Sequence, residues 1–484
     1  MSSFKQKTFN NVAYTGVARI VALVFQAMAN IILSRELSSS DYGLVGFANI
    51  FVSFFYLFGD LGLNSAAVQR KQLDDTALYT GFTMKFSIGF LIYLIAFAIS
   101  GLAVFIFDNP AVVGVIKLLG LNFIINCFGF IPTTMLKRDL DYKKIATATV
   151  CQTIVNSSLA IILALAGFKY WSIVFANLFA TTAMIVALNF LKPVKIKLAF
   201  DRDAARQYMN YGTSLTLTGF ITFTIFNVDN FIVGAVNGSS ELGYYMIAFN
   251  WGSIICVMLG TVVNSVLFPT FSRMEQDKER IKRSYLRVLE YVSFIGMLAN
   301  TTLLLVSEDF LVYVLGHGTD KWLPALLSLQ ILCFYGVTRF LLEPLGNVLM
   351  ALDMNKVLLK TTAVSAIIEV VFIYPVLKFY GIEGVSVLIT ATYIVQYVIY
   401  FPIVKKNIGI QFSEFFASIK DATISAVVIL VFVLVLRHYL RAETMLFVVS
   451  EVLAISCLYI IVHGLLNNWK LIREAREMLL VTRA

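Results

Sequence analysis

The chain has 484 residues, of which 59% are hydrophobic and only 14% are charged, and its mean hydropathy is +0.82. A soluble globular chain is about 45–50% apolar and about 25% charged. Apolar stretches long enough to cross a hydrocarbon core of about 30 Å recur from Val12 almost to Leu466. The composition predicts an all-α polytopic membrane protein. It excludes a soluble enzyme, a disulfide-built secreted module and, despite the net charge of +9, a nucleic-acid partner.

The apolar stretches predict about fourteen transmembrane helices, here called spans. In chain order they lie near 12–34, 42–66, 79–107, 111–135, 145–168, 171–191, 207–236, 242–268, 288–307, 324–351, 357–377, 382–404, 418–436 and 444–466. With the N-terminus in the cytoplasm, 28 of the 38 Lys and Arg residues fall on the cytoplasmic side. Because short cytoplasmic loops are enriched in basic residues, this asymmetry predicts that both termini face the cytoplasm.

An internal repeat at an offset of 200 residues organises the chain. The stretch 30–48 matches the stretch 230–248, with identities at Asn30, Ile32, Ser39, Ser40, Gly43 and Ala48. The match pairs span 1 with span 7 and span 2 with span 8. Since an even number of spans separates the two copies, they have the same orientation, which predicts parallel repeats related by an axis along the membrane normal.

The repeat predicts two six-helix lobes around a central cavity, followed by two further helices. The lobes are residues 1–192 and 193–406, spans 13 and 14 occupy 407–466, and an amphipathic cytoplasmic tail occupies 467–484. The basic segment 192–207 joins the lobes and is expected to lie on anionic lipid. Paired lobes around a cleft are typical of alternating-access transporters, and solid packing between the lobes is the structural alternative.

The sequence lacks the motifs of an ATP-driven pump or a zinc protease. It contains neither a phosphate-binding loop of the Gly-Lys-Ser/Thr type nor a His-Glu-x-x-His motif. The predicted outer loops are too short to hold a catalytic domain. We therefore expect a transporter and not an enzyme, with no catalytic residues, no metal site and no cofactor.

Charged side chains inside the spans cost about 2.5–3.5 kcal/mol each at mid-helix, so each is a candidate functional residue. The predicted substrate-binding residues are the basic Arg19, Lys85, Lys117 and Arg339, with the polar Gln26, Asn30, Tyr335 and Asn347. The polar residues share a helix face with Arg19 in span 1 or with Arg339 in span 10. Snorkelling of the two lysines to the headgroups and interhelical hydrogen bonding are the structural alternatives.

Buried carboxyl groups are the candidates for coupling transport to a H⁺ or Na⁺ gradient. The predicted ion-coupling residues are Asp60, Asp229, Glu369 and Glu343. Glu343 lies four residues after Arg339, so an intrahelical ion pair is the structural alternative there. Asp60 lies within Gly59-Asp60-Leu61-Gly62, where a helix bend is the alternative.

Several motifs resemble those of bacterial polysaccharide transporters and occur in the same order. They are Leu33–Leu37 with Asp41–Leu44, Phe58–Gly62, Ala66–Lys71, Leu136–Lys144, Asp229–Tyr245 with Phe268-Pro269, and Gly318–Ala325. The chain is similar to the polysaccharide transporter branch of the multidrug/oligosaccharidyl-lipid/polysaccharide (MOP) superfamily, the Wzx-type flippases. The resemblance implies a bacterial inner-membrane flippase that moves undecaprenyl-pyrophosphate-linked oligosaccharide, the repeat unit of O-antigen or exopolysaccharide, by alternating access.

The resemblance also implies partners and leaves two other functions open. Cytoplasmic glycosyltransferases would supply the lipid-linked oligosaccharide, a periplasmic polymerase would consume it, and membrane lipids would surround the protein. An ion-coupled drug or metabolite antiporter of the same superfamily would use carboxylates as its principal ligands. A membrane-embedded polysaccharide polymerase or ligase would need a large outer loop with catalytic residues.

Overall fold

The structure, a computed structural model, describes residues 21–70, 73–274, 277–436, 444–471 and 473–474. The side chains at positions 60, 210–218, 221, 225, 259, 261–262, 265–266 and 268–269 lie outside this description. The α-helices are α1 (21–36), α2 (Ser39–Asp60), α3 (Leu63–Gln69), α4 (Asp75–Ile99), α5 (Leu102–Phe107), α6 (Ala111–Ile125), α7 (Phe130–Arg138), α8 (Tyr142–Leu165), α9 (Trp171–Leu191), α10 (Arg202–Ser272), α11 (Lys278–Asp309), α12 (Leu326–Ala351), α13 (Asn355–Ile408), α14 (Phe412–Leu436) and α15 (Met445–Leu466).

Within the described ranges the fold is entirely helical, with short 3₁₀ and π segments between some α-helices. Ten helical stretches of this part of the chain are long and apolar enough to cross a membrane. The protein is therefore a multi-pass membrane protein, which confirms the all-α polytopic architecture. The number of fourteen spans stays a prediction.

Helix α13 is a hairpin and not one straight rod. Gly381 has φ 63° and ψ −157°, a non-helical conformation that glycine adopts readily because it has no Cβ. The Thr392 hydroxyl donates to Glu369 Oε1 at 2.8 Å across a sequence separation of 23 residues. In a straight helix these residues would lie about 34 Å apart, so the chain must reverse at Gly381.

Helix α10 contains a second hairpin of the same kind. Gly238 has φ 80° and ψ −172°, and beyond it the Tyr245 hydroxyl donates to Asp229 at 2.8 Å. The helix break at Gly238 lies 200 residues after Ser38. Ser38 caps the first turn of α2, where its hydroxyl accepts a hydrogen bond from the Asp41 amide. The two copies of the sequence repeat thus break their helices at equivalent positions.

The Gly59–Gly62 motif separates α2 from α3. Helix α2 ends at Asp60, Leu61 and Gly62 both have left-handed backbone, and α3 begins at Leu63. A helix bend was the structural alternative to a coupling role for Asp60, and the structure places a helix break at this motif.

The chain divides into two compact units, Met1–Met246 and Ile247–Ala484. In the first unit, one apolar core joins α3, α4, α7 and the start of α10 around Phe82, Phe130 and Tyr208. In the second unit, a larger core joins α10, α11, α12, α13 and α14 around Tyr285 and other fully buried side chains. The lobe boundaries drawn from the sequence repeat stay a prediction.

Candidate functional site

Helix α12 presents a polar stripe along one face. Tyr335, Arg339, Glu343 and Asn347 follow one another at four-residue intervals, which places them on the same side of the helix. Tyr335 and Asn347 are each only 1% exposed, and Arg339 and Glu343 are half-buried. The structure therefore brings together the four residues that the sequence predicted on this helix.

Arg339 lies between aromatic rings. Its Nη1 donates to the Tyr335 hydroxyl at 2.6 Å. The guanidinium carbon is 5.8 Å from the centroid of the Tyr335 ring and 5.9 Å from that of Tyr393, a cation–π geometry. The two tyrosine rings meet edge to face with centroids 4.9 Å apart, and Phe249 packs against Tyr335 at 5.4 Å. These neutral groups orient the plane of the guanidinium.

Glu343 belongs to an amide network between α12 and the second half of α10. Asn264 Nδ2 donates to Glu343 Oε2 at 2.7 Å, and the Asn347 side-chain amide donates to Asn264 Oδ1 and, at 2.9 Å, to the Glu343 carbonyl oxygen. The sequence offered an ion pair between Arg339 and Glu343 as the structural alternative. In the structure, Arg339 donates a hydrogen bond to Tyr335, and Glu343 accepts one from Asn264.

The carboxylate of Glu369 lies inside the α13 hairpin. Its side chain is 2% exposed, and Oε1 accepts the hydrogen bond from Thr392. Thr392 is also buried, with 1% exposure. Thr392 was not among the predicted site residues; it stands one position before Tyr393 and projects from a different side of the helix.

The carboxylate of Asp229 lies inside the α10 hairpin in a comparable way. Its side chain is 3% exposed and accepts from the Tyr245 hydroxyl at 2.8 Å and from Asn230 Nδ2 at 3.1 Å. Each hairpin thus buries one carboxylate, which accepts a hydrogen bond from a hydroxyl group on the returning helix. Tyr245 and Asn264 were not among the predicted site residues. For Asn264, the signal available in the sequence was a polar residue inside an apolar stretch.

Lys85 and Lys117 lie on α4 and α6, each beside an aromatic ring. Lys85 is 6% exposed and its Nζ is 5.7 Å from the centroid of the Phe130 ring. Lys117 is half-buried, with its Nζ 4.2 Å from the centroid of the Phe97 ring. Both ammonium groups therefore pack against protein, and their role in binding stays a prediction.

The remaining predicted residues are only partly described. Arg19 lies outside the described residues, and so does the side chain of Asp60. On α1, Gln26 is exposed and Asn30 is half-buried, with the Asn30 carbonyl accepting from the Tyr42 hydroxyl at 3.4 Å. Their roles as binding or coupling residues also stay predictions.

The family model described as "Polysaccharide biosynthesis protein" matches residues 32–327, which is more than half of the chain. The chain belongs to this family. The resemblance drawn from the motifs is therefore confirmed at the level of the family.

Relatives with assigned names match much of the chain. Lipopolysaccharide biosynthesis protein WzxC of Escherichia coli (strain K12) is 21% identical over 424 residues, 86% of this chain and 85% of that protein. Teichuronic acid biosynthesis protein TuaB of Bacillus subtilis (strain 168) is 21% identical over 364 residues, 72% of each chain. Succinoglycan biosynthesis transport protein ExoT of Rhizobium meliloti (strain 1021) is 27% identical over 255 residues, 51% of this chain and 50% of that protein.

Two solved structures share the fold. Lipid II flippase MurJ in an inward closed conformation superposes with a TM-score of 0.75 at 13% identity, covering 96% of this chain and 100% of that one. An inward-facing multidrug resistance MATE transporter of the MOP superfamily superposes with a TM-score of 0.62 at 14% identity, covering 81% and 98%. At such low identity the likeness establishes the fold alone.

Proposed function

We propose that this protein is a flippase that carries undecaprenyl-pyrophosphate-linked oligosaccharide across the bacterial inner membrane by alternating access. The family match over residues 32–327 carries the proposal. It is supported by the names of relatives, which refer to lipopolysaccharide biosynthesis, teichuronic acid biosynthesis and succinoglycan transport. The MurJ-like fold is compatible with such a task because that protein is named a lipid II flippase.

The charge of the substrate explains what the Arg339 site would do. A pyrophosphate that leaves water for the membrane interior costs far more than a few kcal/mol unless it is paired. A guanidinium has a planar set of donors that binds phosphate oxygens in pairs, and the rings beside Arg339 orient that plane. Arg339 is thus the proposed pyrophosphate ligand of the second lobe, and Arg19 is its proposed counterpart in the first.

The other basic and polar residues complete the proposed binding surface. Lys85 and Lys117 would attract the anionic headgroup along α4 and α6. Gln26 and Asn30 on α1 would hydrogen-bond the saccharide or the phosphate. Cytoplasmic glycosyltransferases and a periplasmic polymerase are the proposed suppliers and consumers of the substrate.

Ion coupling is proposed for the buried carboxyl groups. Asp229, Glu369 and Glu343 accept hydrogen bonds from a tyrosine, a threonine and an asparagine respectively. Because these donors are neutral, a proton or a monovalent cation could bind the carboxylate without displacing them. Asp60 beside the α2–α3 break is the fourth proposed coupling residue.

The proposed topology has fourteen spans, both termini in the cytoplasm and two parallel six-helix lobes. The hairpins at Gly238 and Gly381 support this count because each divides one long helix into two spans. Reporter fusions after Lys71, Lys144, Lys197, Arg283 and Lys406 should read cytoplasmic, and fusions near Asp108, Gly238 and Asp320 should read periplasmic. Two fusions on the wrong side would contradict the topology.

Reconstitution tests the proposed activity directly. The full-length protein would be inserted into vesicles that contain a fluorescent polyprenyl-pyrophosphate oligosaccharide, and a membrane-impermeant glycosidase would measure the substrate that reaches the outer leaflet. We expect translocation by the wild type and its near loss in Arg339→Ala. Arg273→Ala, which removes an exposed guanidinium after α10, is the matched control and should remain active.

The same vesicles distinguish a flippase from an antiporter. An ion gradient would be applied and the uptake of a cationic dye would be measured in parallel with oligosaccharide translocation. Dye uptake by a folded protein that leaves the lipid-linked oligosaccharide in its original leaflet would overturn the proposal and favour the drug antiporter.

A further inference from the structure

The segment that connects α9 to α10, residues 193–201, is a non-helical strap that is hydrogen-bonded to α4. The Ala199 amide donates to Thr83 Oγ1 at 3.1 Å, and the Asp201 amide donates to Thr80 Oγ1 at 2.9 Å. Thr80 and Thr83 are about one helical turn apart, so the two bonds fix the direction of the strap along the helix. Val194 also packs against the apolar core of the first unit, so the strap is fixed to the protein by these contacts.

Large apolar side chains project from the strap. Ile196 is 41% exposed, Leu198 is 72% exposed and Phe200 is 66% exposed. These three exposed side chains, at alternate positions of the strap, are here called the apolar edge. An apolar edge of this kind at the end of membrane-crossing helices is suited to the boundary between headgroups and acyl chains.

Exposed basic residues accompany this edge. Lys195, Lys197, Arg202 and Arg206 are all exposed, whereas the ammonium of Lys192 is already 2.8 Å from the Asp139 carboxylate. Of the two acidic residues nearby, Asp201 is engaged because its carboxylate accepts from the Ala204 amide at 2.7 Å, and Asp203 is exposed. The strap and the first turns of α10 therefore carry a net positive charge beside the apolar edge.

We propose that the strap is an interfacial anchor that binds anionic phospholipid. Ile196, Leu198 and Phe200 enter the membrane surface, and Lys195 and Lys197 contact the headgroup phosphates. The apolar edge explains the insertion, and the charge complementarity selects an anionic over a zwitterionic surface. Because the strap is bonded to α4 and leads directly into α10, the anchor holds the start of α10 at the plane of the membrane surface.

Photo-crosslinking tests the anchor in the full-length protein. The photoreactive residue benzoylphenylalanine would replace Leu198 in vesicles with equal amounts of phosphatidylglycerol and phosphatidylcholine, and mass spectrometry would identify the adducts. The matched control within the strap is position 199, whose amide is bonded to α4. The reference for lipid contact within a transmembrane helix is position 453 on α15, where Leu453 is 61% exposed.

We expect position 198 to form lipid adducts with a ratio of phosphatidylglycerol to phosphatidylcholine several-fold above the ratio at position 453, and position 199 to react mainly with protein. Lys195→Gln combined with Lys197→Gln should lower that preference, by up to about fivefold per charge removed, and high salt should weaken it because the charges are exposed. The proposal is overturned if position 198 forms no lipid adducts. It is also overturned if the lipid ratios at 198 and 453 are equal, or if the double variant keeps the wild-type ratio.

Discussion

Gly43 and Gly243, which occupy equivalent positions in the internal repeat, pack against each other's helices in a reciprocal contact. A Cβ atom on Gly43 would overlap the carbonyl oxygen of Ser239, and a Cβ atom on Gly243 would overlap the carbonyl oxygen of Ser39. The hydroxyl oxygens of Ser40 and Ser239 lie 2.8 Å apart beside this contact. Small residues allow helix backbones to approach closely in a membrane, and a reciprocal contact is what two-fold related repeats produce.

Replacing either glycine with alanine should therefore force α2 and α10 apart. The atoms in the way belong to the backbone, so no side-chain rotation relieves the overlap. We expect Gly43→Ala and Gly243→Ala each to destabilise the protein by about 1–3 kcal/mol, measured as a lower Tm in detergent. Gly101→Ala is the control, since a Cβ there meets nothing within 4 Å. A Tm for Gly43→Ala equal to that of Gly101→Ala would show that the contact does not matter.

The substitutions at Arg339 separate charge from geometry. Arg339→Lys keeps the positive charge but loses the planar donors, so it should retain part of the translocation activity, whereas Arg339→Ala should lose nearly all of it. Arg19→Ala should behave like Arg339→Ala, with the protein still inserted and folded. The assay is the appearance of lipid-linked oligosaccharide in the outer leaflet of reconstituted vesicles.

A double substitution controls for a purely structural role of Arg339. Because Glu343 is hydrogen-bonded by Asn264, the removal of Arg339 should leave that bond in place. Arg339→Ala with Glu343→Ala should remain inactive and folded. Normal export of polysaccharide by this double variant would disprove the binding role of Arg339.

Amide substitutions test the ion-coupling residues. Asp60→Asn, Asp229→Asn and Glu369→Gln each remove a negative charge at constant size, and the variant at the coupling position should lose gradient-dependent transport while it still binds substrate. Thr392→Val is the control, because it removes the hydroxyl donor to Glu369 and keeps the carboxylate. Full gradient-dependent transport by these three amide variants and by Glu343→Gln would leave the coupling hypothesis without a residue.

The residues that follow α15 bind α11 through charged contacts that depend on pH. Glu474 accepts from Arg287 at 2.9 Å and from the Tyr291 hydroxyl at 2.7 Å, and Lys470 lies 3.0 Å from Glu290. The hydrogen bond from Arg287, followed by that from Tyr291, lowers the pKa of Glu474 below its ordinary value. A carboxyl with a lowered pKa stabilises the docked state above its ordinary pKa, and this contribution is lost as the pH falls through the lowered value.

Hydrogen exchange of the segment 467–474 measures this docking. At neutral pH the amides should be better protected in the wild type than in Glu474→Gln. The difference should disappear below the lowered pKa of Glu474, where the wild-type carboxyl is also neutral. Equal protection of the two proteins at neutral pH would show that this contact does not hold the segment.

The features determined by the sequence alone are those that depend on local or periodic properties. The length of the apolar runs dictates helices that cross a membrane, and the four-residue spacing from Tyr335 to Asn347 places these residues on one face of α12. The repeat at an offset of 200 residues pairs Gly43 with Gly243 because both copies retain the same small residues. None of these features requires knowledge of which helices are neighbours.

The tertiary structure alone decided which groups meet. Glu343 could pair with Arg339 by sequence spacing, yet its hydrogen-bond donor is Asn264 from α10, which no helical period relates to α12. Glu369 meets Thr392 only because the chain reverses at Gly381. A buried carboxylate takes the donor that helix packing brings within about 3 Å, and packing depends on the complementarity of whole helix surfaces, which spacing along one helix does not encode.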